Sequence, residues 1–389
     1  MGKPVLLVEA LASRNDSGLG NMARLYVDGL HRFAARVDIR VILPSGSAYR
    51  PMFPCEIIFV EPKPQRFWIH FAFPLLILRH RPAAVLCLGQ TLPCLRPSTC
   101  YALAVPDAGP LEDLGWATSS HDPYNRRWLK RMVPKADAII TLSEFTKSRL
   151  MFLLGIPGSR IRVVRPVRPS GLAERPLAVE SGTRESEVQA EGDSPFPQRD
   201  PLPRPPLGEY FLALGNLEPR KNFPGLVSAY SELKRRRPDA PPLYIAGHKA
   251  WGCAAVESAI AEHGLSGSVR LPGYLSDADR RAYLANCLAF ISSSRYEGWG
   301  LPLFEALSQG RPSAYHAGSS QDEFAKGMAL AVDCGDSLAL AGAMETLWTD
   351  GAVRHRLEEA MRRGFGAQRD YDLEGALEGA LAPLVREME

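Results

Sequence analysis

Short runs of β-branched and large apolar residues alternate with helix-length segments in two separate stretches of this 389-residue chain. That alternation restricts the fold more than any other feature. Strands separated by helices are joined by crossovers, and crossover-linked strands run parallel. In the first stretch the strand candidates are 5–8, 39–43, 57–60, 85–88, 101–105, 138–142 and 161–164. In the second they are 210–214, 243–246, 269–271, 288–292, 312–315 and 329–332. Between the first two strands Met22, Leu25, Tyr26, Leu30 and Phe33 recur at helical spacing, which predicts one buried face. Ser143 is placed to cap a second helix that runs to Leu154 and stops at Gly155.

Between Pro166 and Leu207 the periodicity collapses into a segment rich in Pro, Glu, Ser and Arg. Few large apolar side chains remain there to offset the entropy of ordering. The expected class is therefore α/β, with two Rossmann-like, doubly wound parallel-sheet domains facing a central cleft. Residues 1–165 form the N-terminal domain, 166–207 a flexible Pro/Glu-rich linker and 208–370 the C-terminal domain. Residues 371–389 form a C-terminal helix packing back toward the N-terminal domain. Ligands in such sheets bind beyond the carboxyl ends of the strands, so two binding edges share the cleft.

Composition narrows the partners. Hydrophobic residues make up 46% of the chain, enough for two cores, and the formal net charge is +3. Basic residues concentrate before Gly208, which suits either scattered solvated charge or an acidic partner such as a phospholipid surface or a lipid diphosphate. No nucleic-acid partner is expected. Seven cysteines without a C-x-x-C pair argue against a disulfide scaffold and structural zinc. Cys87, Cys100, Cys253 and Cys287 read as buried thiols in a reducing compartment. The first strand begins at Pro4 with no signal peptide before it, and the longest apolar run, Phe67 to Leu78, is too short to span a bilayer. A cytoplasmic protein at the inner face of the membrane is the expectation. Trp68, Phe71, Phe73 and Leu75 to Leu78, beside Lys63, Arg66, Arg79 and Arg81, form either a helix packed on the sheet or a membrane-contacting patch.

Four clusters fall at strand ends. Between Glu297 and Glu305 the two carboxylates bracket Gly298, Trp299, Gly300 and Leu301; Pro302 suits a first helical turn and Gly310 a left-handed stop. A helix opening on these glycines aims backbone N–H groups at a diphosphate, and the flanking carboxylates can hold sugar or ribose hydroxyls. The segment from Gly215 and Asn216 through Arg220, Lys221 and Asn222 follows the first strand of the second domain. Arg220 and Lys221 can neutralise a diphosphate there, and Asn222 can cap the next helix. Gly18 and Gly20 permit close backbone approach after the first strand, or simply make a turn. Ser319 lies in a loop of small residues with room for a base or phosphate, or in a plain surface loop. Asp277 and Asp279 resemble a D-x-D metal signature, but capping beside Ser276 is sufficient, and no metal is expected.

These motifs, with Ala136 to Thr146, resemble the family 4 retaining glycosyltransferases of GT-B fold, in particular bacterial mannosyltransferases of polysaccharide biosynthesis. The resemblance covers all but the linker. It implies an acceptor-binding N-terminal domain and a nucleotide-sugar-binding C-terminal domain. It also implies a nucleotide-sugar donor as substrate, with no cofactor, and a glycan or lipid-diphosphate-linked acceptor. By the resemblance Glu297 lies near the transferred sugar and Glu305 holds the ribose. Arg220 and Lys221 grip the diphosphate, with Gly215, Asn216, Gly298, Trp299, Gly300, Leu301 and Ser319 around the donor. Gly18, Gly20, Asp107 and Ser143 line the cleft from the other domain. Two departures stand out: Pro106-Asp107 replaces a His-Asp pair, and Asn216 replaces an Arg. The implied reaction is metal-independent transfer of a hexose, mannose from GDP-mannose first, in surface polysaccharide or O-antigen synthesis. The alternatives are a non-catalytic nucleotide-sugar-binding scaffold and another GT-B enzyme such as a UDP-sugar 2-epimerase.

Overall fold

The computed structural model describes residues 2–14, 18–61, 67–97, 99–112, 122–167 and 208–386. Linker residues 168–207 lie outside them, as do Lys63 and Arg66.

All thirteen expected strands form. The first seven are β1 (Val5–Glu9), β2 (Asp38–Pro44), β3 (Glu56–Val60), β4 (Ala84–Cys87), β5 (Cys100–Ala104), β6 (Ala138–Thr141) and β7 (Ile161–Val163). They make one parallel sheet in the order β3-β2-β1-β4-β5-β6-β7. The other six are β8 (Phe211–Leu214), β9 (Leu243–Ala246), β10 (Val269–Gly273), β11 (Ala289–Ser292), β12 (Ser313–His316) and β13 (Leu330–Val332). They form a second parallel sheet in the order β10-β9-β8-β11-β12-β13. In each sheet the order reverses beside the first strand of its domain, the switch point at which such folds open a crevice. Central strands are apolar on both faces because helices cover both.

Helix ends follow the local chemistry. Ser143 caps helix Glu144–Leu154 by accepting from the Thr146 amide, and Gly155 closes it at φ +64°. Helix Gly18–Asp28 buries Met22 and Tyr26, but it stops earlier than its apolar spacing suggests; Leu30 lies in the turn beyond it and Phe33 in a short 3₁₀ turn, both still buried. Asn222 departs from expectation. It precedes helix Phe223–Arg236 in the left-handed region at φ +53°, and its side chain makes no cap. Its Nδ2 instead donates to the Cys334 carbonyl at 2.8 Å. Cys100 and Cys253 are half-buried rather than buried, whereas Cys87, Cys287 and Cys334 are enclosed.

The apolar run after β3 forms a π-helical turn, Trp68–Ala72, continuing into helix Phe73–His80. Trp68 and Phe73 are not part of an exposed patch. They stack in the core at 5.1 Å, with Ile69 and Ile77 beside them. The exposed side is Phe67, Phe71, Leu75 and Leu78.

The C-terminal helix, Leu373–Arg386, crosses back to the first domain. Leu373 and Leu377 close over Gly29, and Arg32 pairs with Asp372 and Glu374. Tyr371 receives a hydrogen bond at its hydroxyl from the Arg165 amide.

Candidate donor site between the two sheets

Helix Leu301–Ser308 starts from Gly300, which adopts φ +95°, and Pro302 occupies its first turn. A Cβ on Gly300 would lie 2.4 Å from Gln321 Nε2. Gln321 in turn donates to Ser292 Oγ at 2.9 Å. The glycine loop is thereby locked onto the carboxyl end of β11.

Beneath it lie the two cations. Lys221 Nζ donates to Glu297 Oε1 at 2.5 Å, and Arg220 donates to Glu297 Oε2 at 2.9 Å. Arg220 Nε also donates to Glu218 at 2.9 Å. Lys221 is 6% and Glu297 7% exposed, so this is a buried network. Such charges are tolerable only when paired. Burial works to raise the Glu297 carboxyl, yet Lys221 and Arg220 hold it down at about 2. Burial pushes the Lys221 ammonium below its ordinary value against the pull of Glu297. Ser320 Oγ donates to the Glu297 carbonyl, which ties the loop after β12 to the loop after β11.

The other sheet meets this cluster directly. A Cβ on Gly298 would sit 2.1 Å from the Pro106 carbonyl oxygen, a separation only glycine tolerates. Asp107 Oδ1 accepts from the Gly109 amide. Burial raises its carboxyl while Arg220, across the domain boundary, pulls it down. Tyr296 packs on Phe145 with ring centroids 5.5 Å apart. Glu323 reaches over to accept from the Glu144 and Phe145 amides at 3.2 and 2.8 Å, occupying the start of helix Glu144–Leu154. The expected residues at that helix start did not include Glu323; an acid beside a serine loop carries no sequence signal of its partner.

Several expected site residues have other work. Trp299 turns its indole into the core, 4.8 Å from Phe324, so its ring does not line the cleft. Ser143 spends its hydroxyl on Thr146. Ser319 donates to the His316 carbonyl, and Asn216 donates to Glu218. Glu305, half-buried, faces Arg280 at 3.4 Å rather than Glu297; burial raises its carboxyl against that arginine. Leu301 packs against the core. Gly18 opens its helix exposed, and Gly20 is buried within it. Gly215 lies against the Lys221 side chain. Ser276 caps Asp277–Asn286, and Asp277 pairs with Arg280. Among the described residues no group of three His, Cys, Asp or Glu side chains is arranged to hold a metal.

Comparison with known proteins places this geometry. Residues 17–167 match the family model described as Glycosyltransferase Family 4, and residues 197–364 that described as Glycosyl transferases group 1. The chain belongs to the family 4 glycosyltransferases. It is similar to the O-antigen chain mannosyltransferase B of Escherichia coli, 26% identical over 64% of this chain and 61% of that protein. It is also similar to the lipopolysaccharide core biosynthesis glycosyltransferase LpsD of Rhizobium meliloti, 31% identical over 40% of this chain and 44% of that one. The alignments thus span less than two thirds of these relatives' lengths. Among solved structures, HepE of Anabaena in complex with UDP and glucose superposes with a TM-score of 0.67 at 15% identity, covering 99% of this chain and 100% of that one. The fold of this glycosyltransferase is accordingly GT-B.

Proposed function

We propose that this protein transfers a hexose from a nucleoside diphosphate sugar to a glycan or lipid-linked acceptor in bacterial surface polysaccharide synthesis. One observation carries the reading: Arg220 and Lys221 converge on one carboxylate at the foot of a glycine-opened helix, where the two sheets meet. In such a transfer negative charge grows on the departing diphosphate while the sugar acquires oxocarbenium character. Two fixed cations and a helix N-terminus stabilise that charge without reorganising. Glu218 and Glu297 hold Arg220 from both sides, so the guanidinium is oriented before the donor arrives. Glu297 also stands beside the cations, where a carboxylate can face the sugar. Retention of configuration without a protein nucleophile and independence from metal belong to this reading. Mannose from GDP-mannose is the first donor proposed, because the O-antigen chain mannosyltransferase B is among the relatives.

A panel of GDP-, UDP-, dTDP- and ADP-sugars offered to purified protein, with and without chelator, tests it. Turnover with GDP-mannose that survives chelation is the expected result. Arg220→Ala should lower that rate by about 10²–10³. Tight donor binding without hydrolysis or transfer would favour a non-catalytic scaffold. Loss of activity in chelator would overturn metal independence.

A further inference from the structure

The side of the first domain that carries helix Phe67–His80 is built unlike the rest of the surface. Phe67, Phe71, Leu75 and Leu78 are each more than half exposed. Their spacing of four, four and three residues puts them on one stripe of the helix. Phe67 and Phe71 lie together at 5.8 Å between centroids. The loop after β4 continues the stripe: the Cys94 amide donates to the Ile69 carbonyl, and the neighbouring Leu95 is 66% exposed.

Basic residues border this apolar strip. Arg79 and Arg81 end the helix, both exposed. Arg96 donates to the Lys135 carbonyl, and Arg131 and Lys135 act electrostatically on Cys94, which places helix Asp122–Met132 beside the loop. Segments 67–81, 94–97 and 126–136 contain no Asp or Glu at all. Asp137, which follows, has its carboxylate held by the Tyr101 amide. An apolar stripe framed by cations is complementary to a bilayer whose surface is anionic and whose interior is apolar. A water-soluble protein partner of ordinary mixed charge would not need an acid-free border.

We propose that this face docks on anionic phospholipid, with Phe67, Phe71, Leu75, Leu78 and Leu95 entering the headgroup region and the basic residues pairing with lipid phosphates. The proposal does not depend on the donor reading, since docking is measured without any sugar. Among the described residues no helix is long and apolar enough to cross a membrane, so the contact lies in the interface.

Vesicle sedimentation of the full chain tests it, comparing phosphatidylcholine with phosphatidylcholine containing phosphatidylglycerol. Strong partitioning onto the anionic vesicles that weakens with salt is expected, with little on the neutral ones. Phe71→Ser with Leu75→Ser should reduce that partitioning at least ten-fold, and Arg79→Gln with Arg131→Gln by roughly five-fold per charge. These side chains are exposed, so thermal unfolding should stay unchanged and separates loss of docking from loss of fold. Absence of binding to anionic vesicles at low salt would overturn the proposal, as would equal binding by the serine variant. A dimer abolished by that variant, with no vesicle binding, would instead make the face a contact between two copies.

Discussion

A methyl group at position 298 has no room. The Pro106 carbonyl oxygen stands 2.1 Å from where it would lie, and Asp107 Cβ is 2.8 Å away. Neither is a flexible side-chain end, so Gly298→Ala must separate the two domains or twist the loop. Misplacements of that order cost up to about a hundred-fold in rate. Turnover should fall by such a factor, while thermal unfolding of each domain changes little; unaltered turnover would show that the contact at Pro106 is not part of the working geometry. Glu297 makes a different prediction. Its carboxyl is held at about 2 in the folded protein against an ordinary 4.5, so it contributes stability fully present above pH 4.5. That contribution is lost as pH falls from there toward about 2. Glu297→Gln leaves Lys221 buried beside Arg220 without a counter-charge, a change that costs about 3–5 kcal/mol. Denaturant titration at pH 7 should show that loss, and the gap between variant and parent should narrow as the pH is lowered through that window.

At the scale of elements, the capping chemistry is directly testable. Ser143→Ala removes the acceptor for the Thr146 amide and should cost about 1 kcal/mol, read as a shift in unfolding midpoint. Because the Glu323 carboxylate also covers this helix start, Glu323→Ala should loosen the domain contact there. Increased hydrogen exchange at Glu144 and Phe145 is the expected sign. These elements also show what the sequence discloses. The strands were legible because each is a short, largely apolar run bounded by polar loops, and the central ones are buried on both faces. Ser143, Pro302 and Gly310 were legible because their roles are local, settled within four residues. Asn222 was not, since its side chain is satisfied by Cys334, far along the chain. The packing of the Trp299 ring was not legible for the same reason: Phe304 and Phe324, which take it, lie further along the chain. Which half of the Phe67–Leu78 run faces outward depended on where the sheet lies, and single-residue hydrophobicity does not contain that. The convergence of Arg220, Lys221 and Glu297 was legible only as positions at two strand ends; the ion pairs themselves required β8 and β11 to be neighbours.

For the whole molecule, the C-terminal helix is the strap. It leaves the second domain, seats Leu373 and Leu377 over Gly29, and is pinned by Arg36 to Glu378 as well as by Arg32. Arg165, where the first domain ends, sits between the rings of Trp299 and Tyr371. The two domains are therefore held together by the C-terminal helix and the Arg165 contacts, and Leu377→Asp should expose the first domain's core and lower its unfolding temperature by several degrees. The central claim is that Arg220 and Lys221, pre-oriented by Glu297, receive a diphosphate. Calorimetric titration of GDP and GMP into the parent protein and into Arg220→Ala tests this most directly. The account predicts that the variant loses roughly ten- to a hundred-fold in affinity for GDP and little for GMP; unchanged GDP affinity in a folded Arg220→Ala would contradict it.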